Sequence, residues 1–121
     1  MATYMMLIYA PTEPVPADDP GRQPQRWAEY TQSLVEAGVH RGDHRLHDPG
    51  TATTVRVRDG QTLVTDGPFA ETREFLAGYY LLECAHRDEA LKHASRVPHL
   101  HYGSVEVRPV FETGPGSGPA E

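Results

Sequence analysis

Histidines are the side chains of this sequence best suited to move protons or hold a metal near neutral pH, and the chain has seven. Five of them fall in two groups, with His40, His44 and His47 in the first group and His99 and His101 in the second. In an extended backbone His40 and His44 share one face, and so do His99 and His101. Such pairs could bind zinc, copper or nickel. Because no Asp or Glu stands at ligand spacing beside them, the favoured interpretation is solvated surface histidines, and we predict no metal site.

Asp66 is the carboxylate with a candidate proton-transfer role, because it opens a turn that continues Gly-Pro-Phe. A carboxylate in such a turn commonly accepts hydrogen bonds from the following backbone amides, which is a structural role. An Asp66 side chain that faces a pocket could instead act as a general acid or base. His44 is its predicted catalytic partner, and Asp43 is the alternative carboxylate beside that histidine.

Aromatic side chains are the other candidates for a binding site, although core packing accounts for most aromatic residues. A pocket between a helix and a sheet that is lined by Tyr and Trp would suit a planar organic ligand. The sequence contains no phosphate-binding loop, nucleotide fingerprint or nucleophilic serine elbow, so we expect a site without a cofactor. The predicted ligand-binding residues are Trp27, Tyr30, Phe69, Tyr79 and Tyr80.

Composition and charge exclude several classes of partner. The 121 residues are enough for one domain, and 11 basic against 17 acidic side chains give a net charge of −6. An acidic chain with no basic run is a poor binder of nucleic acid or of anionic membranes. No segment approaches the ~20 apolar residues of a membrane span, and the N-terminus lacks the basic region of a signal peptide. We therefore expect a cytoplasmic protein, in which the single Cys84 excludes an internal disulfide.

Hydrophobic periodicity assigns the elements that would position these residues. Two of the strands are apolar on both faces, which indicates that each is covered on both sides. Two amphipathic segments predict helices, and the second has Asp88 as its N-cap and ends at Pro98. The predicted strands are 4–9, 39–46, 75–84 and 105–111, and the predicted helices are 23–37 and 88–97.

A hairpin gives the clearest local signal in the chain. Residues 53–58 alternate apolar and polar, and 61–65 follow as a second arm. Between two such segments, the pair Asp59-Gly60 predicts a two-residue turn of the primed type. The proline-rich residues 11–21 are predicted to form a mobile loop. The Gly-rich and Pro-rich residues 112–121 are predicted to be a disordered tail, so that the domain spans 1–111.

The order of these elements predicts a ferredoxin-like α+β fold. A β-α-β unit, the hairpin and a second β-α-β unit give a βαββαβ plan with an inserted hairpin. Both helices then cover the same face of the sheet, although two of its strands are apolar on both faces. The other face therefore needs a cover, and we expect the same face of a second copy in a two-fold homodimer.

Six segments stand out in order along the chain: Met5–Tyr9, Ala37–Val39, Thr51–Arg56, Asp66–Glu71, Gly78–Leu81 and Tyr102–Val110. With these segments the chain resembles the DGPF-domain proteins, a branch of the YCII-related family. The resemblance covers residues 4–111 and implies a dimeric α+β barrel, and many members are encoded beside extracytoplasmic-function sigma factors. For the wider family it also implies enzymatic activity through a His–Asp pair in a pocket, but the position of that histidine in the first helix is Trp27 here.

Two hypotheses of function follow. The first is a small-molecule enzyme or ligand-binding protein of a biosynthetic pathway, with a cofactor-free pocket in which Asp66 is the acid or base and His44 its partner. The second is a non-catalytic regulatory or interaction module that binds a sigma factor, because an acidic surface suits a basic partner. A closed apolar pocket that contains Asp66 would favour the first, and a filled core beneath a flat exposed patch would favour the second.

Overall fold

The computed structural model describes residues 1–70 and 72–111, which form a four-stranded sheet, a separate two-stranded hairpin and two α-helices. The predicted tail at 112–121 lies outside the described residues, as does Glu71. The strands are β1 (Ala2–Pro11), β2 (His40–Arg45), β3 (Thr53–Arg58), β4 (Gln61–Asp66), β5 (Glu74–Cys84) and β6 (Ser104–Pro109), and the helices are α1 (Pro24–Glu36) and α2 (Arg87–Ala94).

The main sheet has the strand order β2-β5-β1-β6, and every neighbouring pair is antiparallel. Met6 in the middle of β1 lies opposite Tyr80 of β5 and Val107 of β6, so β1 is a central strand. Two interleaved β-α-β units produce this order, with the β3–β4 hairpin inserted between them. The predicted ferredoxin-like α+β fold is confirmed.

The core lies between the sheet and the two helices, which cover the same face as predicted. Alternate side chains of β1 and β5 point into it, and Met6, Leu34 and Leu82 are fully buried. Each such side chain contributes roughly 1.5–3 kcal/mol through the area removed from water. The intervening side chains, such as Met5, Leu7 and Leu81, are half-buried on the face without helices. Residues of the core are Tyr4, Met6, Ile8, Tyr30, Leu34, Val39, Tyr80, Leu82, Cys84, Ala90, Ala94 and Val97.

The N-cap of helix α2 lies two residues earlier than the sequence pattern predicts. His86 is its N-cap, and its Nδ1 accepts a hydrogen bond from the backbone N–H of Glu89 at 3.4 Å. Glu89 in turn accepts from the N–H of Ala85 through Oε1 at 2.8 Å, so that two backbone donors are satisfied reciprocally. The prediction of Asp88 as N-cap is therefore wrong, and this residue lies in the first turn of the helix.

A one-residue register shift in β2 separates two histidines that were predicted to share a face. His40 lies opposite Leu82, whose side chain points to the helices, whereas His44 lies opposite Tyr79 on the helix-free face. The shift falls between His40 and Gly42, and one extra residue moves every later side chain to the other side of the sheet. The predicted common face of His40 and His44 is therefore wrong.

The hairpin has the predicted turn. Asp59 and Gly60 both have positive φ, 53° and 75°, as a primed turn of the type I′ requires. The hairpin is not hydrogen-bonded to the main sheet, and three valines of one face are largely exposed: Val55 at 62%, Val57 at 60% and Val64 at 65%. Local hydrogen bonds and turn geometry therefore account for most of the order of this element.

Candidate functional site

A cavity of about 540 Å³ lies between α1, the segment that precedes α1, and the sheet. Strands β1, β5 and β2 form its floor, and the turn that follows α2 closes one end. Polar and aromatic side chains in its lining include Trp27, Thr31, Asp43, Tyr80, His99 and Tyr102. Exposed residues such as Glu13 and Arg45 also line it, so the cavity is open to solvent.

His99 is the most unusual of these residues because it is a polar side chain that is only 2% exposed. Its Nε2 lies 2.7 Å from the carbonyl oxygen of Tyr9. A carbonyl can only accept, so Nε2 carries the proton and Nδ1 has a free lone pair in the neutral ring. Nδ1 is buried and has no hydrogen-bond partner within residues 1–70 and 72–111. Burial also lowers the pKa of His99, which favours this neutral form.

The turn at 98–103 holds the imidazole through the backbone. The N–H groups of Tyr102 and Gly103 donate to the carbonyl oxygen of His99 at 3.0 and 2.8 Å. A Cβ atom at Gly103 would lie 2.5 Å from His99 Nε2 and 2.7 Å from the carbonyl oxygen of Tyr9. Only glycine allows the chain to approach the ring this closely. The predictions that His99 is a solvated surface residue and shares an extended face with His101 are therefore wrong, because a turn buries the first and exposes the second.

Aromatic rings surround His99 on two sides. The Trp27 ring is tilted against it with centroids 5.4 Å apart, and the Tyr102 ring meets it edge-on at 5.6 Å. Trp27 is fixed in place because its Nε1–H donates to the carbonyl oxygen of Gly21 at 2.7 Å. A Cβ atom at Gly21 would lie 2.6 Å from the Tyr102 ring, so glycine is again required for this packing.

Asp19 anchors the segment before α1 to the same turn. One oxygen, Oδ1, accepts from the N–H of Gly21 at 2.8 Å and lies 2.7 Å from Nε2 of His101. The Gly21 N–H, and to a smaller degree His101, lower the pKa of Asp19. The predicted loop at 11–21 therefore ends in a short 3₁₀ turn, Pro20–Arg22, that is tied to the wall of the cavity.

The opposite end of the cavity contains a second polar group. Asp43 of β2 lies across from Tyr80 of β5, and its Oδ2 is 2.6 Å from Nε2 of His40. The hydroxyl of Tyr80 lies 2.7 Å from Thr31 Oγ1 on α1. Burial raises the pKa of Tyr80, so its hydroxyl remains protonated at neutral pH. Hydroxyl and carboxylate groups thus line this end, and aromatic rings with a neutral imidazole line the other.

The two predicted catalytic residues are not together. Asp66 ends β4 with an exposed side chain and does not line the cavity. His44 borders the cavity, but the strand alternation carries its side chain to the helix-free face, where Nδ1 lies 2.8 Å from the Tyr79 hydroxyl. The structure thus brings His44 together with Tyr79, another predicted site residue, rather than with Asp66.

The predicted ligand-binding residues also divide between different places. Trp27, Tyr79 and Tyr80 line the cavity, although the Tyr79 hydroxyl lies beside His44 on the helix-free face. Tyr30 is buried, and its hydroxyl donates to the carbonyl oxygen of His93, which links α1 to α2 at 2.8 Å. Phe69 is 76% exposed, with the guanidinium of Arg56 5.5 Å from its ring centroid.

A second hollow lies on a different side of α1 from the main cavity and carries no cluster of metal-ligating side chains within the described residues. This hollow of about 660 Å³, between α1 and the segment after α2, is lined mainly by exposed polar side chains such as Gln25, Arg26 and Glu29. Within the described part of the chain, no three His, Cys, Asp or Glu side chains come together as metal ligands. None of the helices there is both long and apolar enough to cross a bilayer.

The chain is similar to a known protein family over a region that includes the whole cavity. The family model of the YCII-related domain matches residues 2–113, which include every element of the main sheet and the cavity. An uncharacterized protein of Rhizobium meliloti (strain 1021) is 46% identical over 91 residues, which are 74% of this chain and 73% of that relative.

Proposed function

The chain belongs to the YCII-related family, and the matched region contains the whole cavity. We propose that the protein binds a small planar organic molecule in this cavity, with His99 as the hydrogen-bond acceptor. The observation that carries this proposal is the buried Nδ1 of His99, which no described residue hydrogen-bonds. A buried acceptor without a partner destabilises a fold by about 1–3 kcal/mol. Because Nδ1 is closed to water, a neighbouring side chain must move before a ligand in the cavity can donate a hydrogen bond to it and remove that cost.

The chemistry of the cavity defines the ligand. A neutral imidazole nitrogen accepts from O–H or N–H groups, and phenols and enols offer such a donor on a planar frame. Trp27 and Tyr102 supply aromatic surfaces for that frame. A neutral histidine can also take the proton of the bound molecule, which is general-base chemistry that needs no cofactor. The predicted roles of Asp66 and His44 in catalysis stay predictions.

The test is the affinity of 4-ethylphenol, measured by isothermal titration calorimetry on the wild type and on two variants. In His99→Gln, the side-chain amide can still donate to the Tyr9 carbonyl, but the acceptor at the Nδ1 position is gone. We expect the affinity to fall about tenfold, as for the loss of one hydrogen bond worth ~1.4 kcal/mol. His47→Gln changes an exposed histidine and should leave it unaltered.

Nitrogen NMR of the wild type gives a second readout that does not depend on a variant. The ¹⁵N shift of His99 Nδ1 reports whether its lone pair accepts a hydrogen bond, so it should move when 4-ethylphenol is added. An unchanged Nδ1 signal at saturating probe, or equal affinities of wild type and His99→Gln, would refute His99 as the acceptor.

We also propose that the protein is a homodimer through the helix-free face of its sheet. Half-buried Met5, Leu7 and Leu81 form the apolar centre of this face, next to the His44–Tyr79 pair. An obligate interface of this kind should bury on the order of 2,000 Å² or more. Sedimentation should show a dimer at micromolar concentration and a monomer for Leu81→Asp. A wild-type monomer would contradict the proposal.

A second candidate function is a non-catalytic regulatory or interaction module for a sigma factor. The exposed valines Val55, Val57 and Val64 favour it, because they form an apolar surface on a hairpin that stands apart from the main sheet. Titration with a purified extracytoplasmic-function sigma factor from the same genome should then show binding that Val57→Lys abolishes. Full binding by Val57→Lys, or none by the wild type, would exclude this role for the hairpin.

A further inference from the structure

The cavity has groups that can bind a ligand at both of its ends, and helix α1 sets the distance between these ends. Trp27 and Thr31 both line the cavity and are one helical turn apart, which is a rise of about 6 Å. Trp27 lies beside His99, and Thr31 lies beside the hydroxyl of Tyr80. A molecule that extends from His99 along this wall therefore reaches the end of the cavity where Asp43 is located.

Asp43 is held as an oriented anion at that end. His40 donates from Nε2 to Oδ2 at 2.6 Å, because a carboxylate at neutral pH can only accept. The His40 ring is itself packed edge-on against Tyr80, with centroids 6.3 Å apart. This leaves Oδ1, to which the described residues donate no hydrogen bond, as an acceptor for a molecule in the cavity.

The charges around the cavity favour a cation at this position. Three carboxylates line it against two guanidinium groups, and His99 is neutral. One of the two, Arg22, already donates from Nη1 to the carbonyl oxygen of Val15 at 2.7 Å. The ring of Tyr80, which lines the same end of the cavity, adds a further attraction for a cation. The charged residues in this count are Glu13, Arg22, Asp43, Arg45 and Asp48.

We propose that the ligand is an aromatic amine: its hydroxyl group donates to His99, and its ammonium group binds Asp43, which His40 holds in position. This inference rests on the proposed function, since it assumes that the cavity is a ligand site. It adds the chemical class of the ligand and a residue that determines specificity. Asp43 would contact the ligand directly, whereas His40 is a positioning residue that acts through Asp43.

Tyramine and 4-ethylphenol form the probe pair, because they share the phenol ring and two-carbon chain and differ in the ammonium group. Calorimetry on the wild type should give about tenfold or tighter binding of tyramine, as expected for a charge-assisted hydrogen bond. In Asp43→Asn the preference should fall below about threefold, while the affinity for 4-ethylphenol is unchanged. Asp59→Asn removes the same charge from the hairpin turn, outside the cavity, and should keep the preference.

The positioning role of His40 is tested by the ratio of the affinities for tyramine and 4-ethylphenol. A merely structural role of His40 would not change this ratio. His40→Ala should reduce the preference for tyramine, and His40→Gln, whose amide can still donate to Asp43, should restore it. If Asp43→Asn does not fold, the wild type still tests the idea. Its preference for tyramine must then decrease as sodium chloride is raised, because salt screens an attraction between charges.

The outcomes separate this inference from the proposed function. Equal binding of the two probes by the wild type, or an undiminished preference in Asp43→Asn, overturns the role of Asp43 and leaves the role of His99 standing. An effect of Asp43→Asn together with no effect of His99→Gln supports the amine site and overturns the acceptor role of His99. Binding of neither probe by the wild type overturns both.

Discussion

The β3–β4 hairpin and the turn at 98–103 both reverse the chain within a few residues, but they are stabilised in opposite ways. The hairpin is held by its own ladder and by two residues of positive φ, and its valines face solvent. The turn depends on distant residues: His99 hydrogen-bonds Tyr9, and its ring packs against Trp27. A locally specified element can tolerate change to its surroundings, whereas the turn can be disturbed from β1, from α1 and from the segment before α1, where Asp19 is paired with His101.

The largest difference expected between the two regions distinguishes two glycines, one in each region. In Gly103→Ala the new methyl group meets His99 and the Tyr9 carbonyl, and the free energy of unfolding should fall by about 2–3 kcal/mol. In Gly60→Ala the methyl group meets no atom within 4 Å, and only the positive φ of 75° is unfavourable. That variant should cost about 1 kcal/mol. Urea denaturation measures both, and equal costs would show that the turn is not tightly packed.

The turn should also make stability depend on pH. Burial lowers the pKa of His99, with Tyr9 and Glu74 acting in the opposite direction and His101 adding to the decrease. The unfolded chain therefore binds a proton near pH 6.5 that the folded chain does not. The neutral His99 therefore makes its full contribution to the free energy of unfolding above that pH, and this contribution is lost as the pH falls below it. The free energy of unfolding, measured from about pH 7.5 to pH 5.5, should decrease.

The variant His99→Gln tests the source of that decrease, because it should flatten the dependence. His93 is a second contributor of the same sign, since burial also lowers its pKa, and His93→Gln should remove a separate part. A slope that survives in both variants would assign the effect to other groups.

For a substitution of Tyr30 we expect a change in the free energy of unfolding that is intermediate in size. Its hydroxyl donates to the His93 carbonyl and links α1 to α2, so Tyr30→Phe should destabilise the fold by about 1 kcal/mol. Because the side chain does not line the main cavity, the affinity for 4-ethylphenol should stay the same. A clear loss of affinity would instead support the predicted role of Tyr30 in ligand binding.

The smallest effect is expected in the hairpin. Val57 is 60% exposed, so Val57→Thr should change the free energy of unfolding by no more than about 0.5 kcal/mol. Leu34→Ala in the core is the matched contrast, with an expected loss of about 2–5 kcal/mol. A loss above about 1.5 kcal/mol for Val57→Thr, growing with protein concentration, would mean that a second copy covers the hairpin.

The same difference explains which parts of the molecule could be predicted from sequence. The apolar character of both faces of 4–9 and the Asp59-Gly60 pair are local signals, and they were sufficient to predict the strand and the turn. Burial of His99 depends on Tyr9, 90 residues away, and on the close approach of Gly103. The hydrophobic pattern of the turn at 98–103 does not indicate that His99 is buried. The only local signal was Gly103, because a glycine close to a histidine allows a close approach of the backbone to the ring.

The candidate site shows a second limit. Alternation assigns His40 and His44 to one face, but a single extra residue in β2 separates them. That shift is decided by pairing with β5 rather than by β2 itself. It places His40 beside Asp43, a pair that the sequence pattern did not connect, and takes His44 away from the helices.

The central place of β1 has a consequence for protein synthesis. Its residues are apolar on both faces and pair with β5 and β6, the first of which begins at Glu74. At roughly 5–20 residues per second, a ribosome needs about 3–12 s to make the 62 residues, 12–73, that separate β1 from β5. The hairpin can form during this interval, but β1 has no strand to pair with. Residues 2–11 are therefore the segment of the nascent chain for which shielding by a chaperone would matter most.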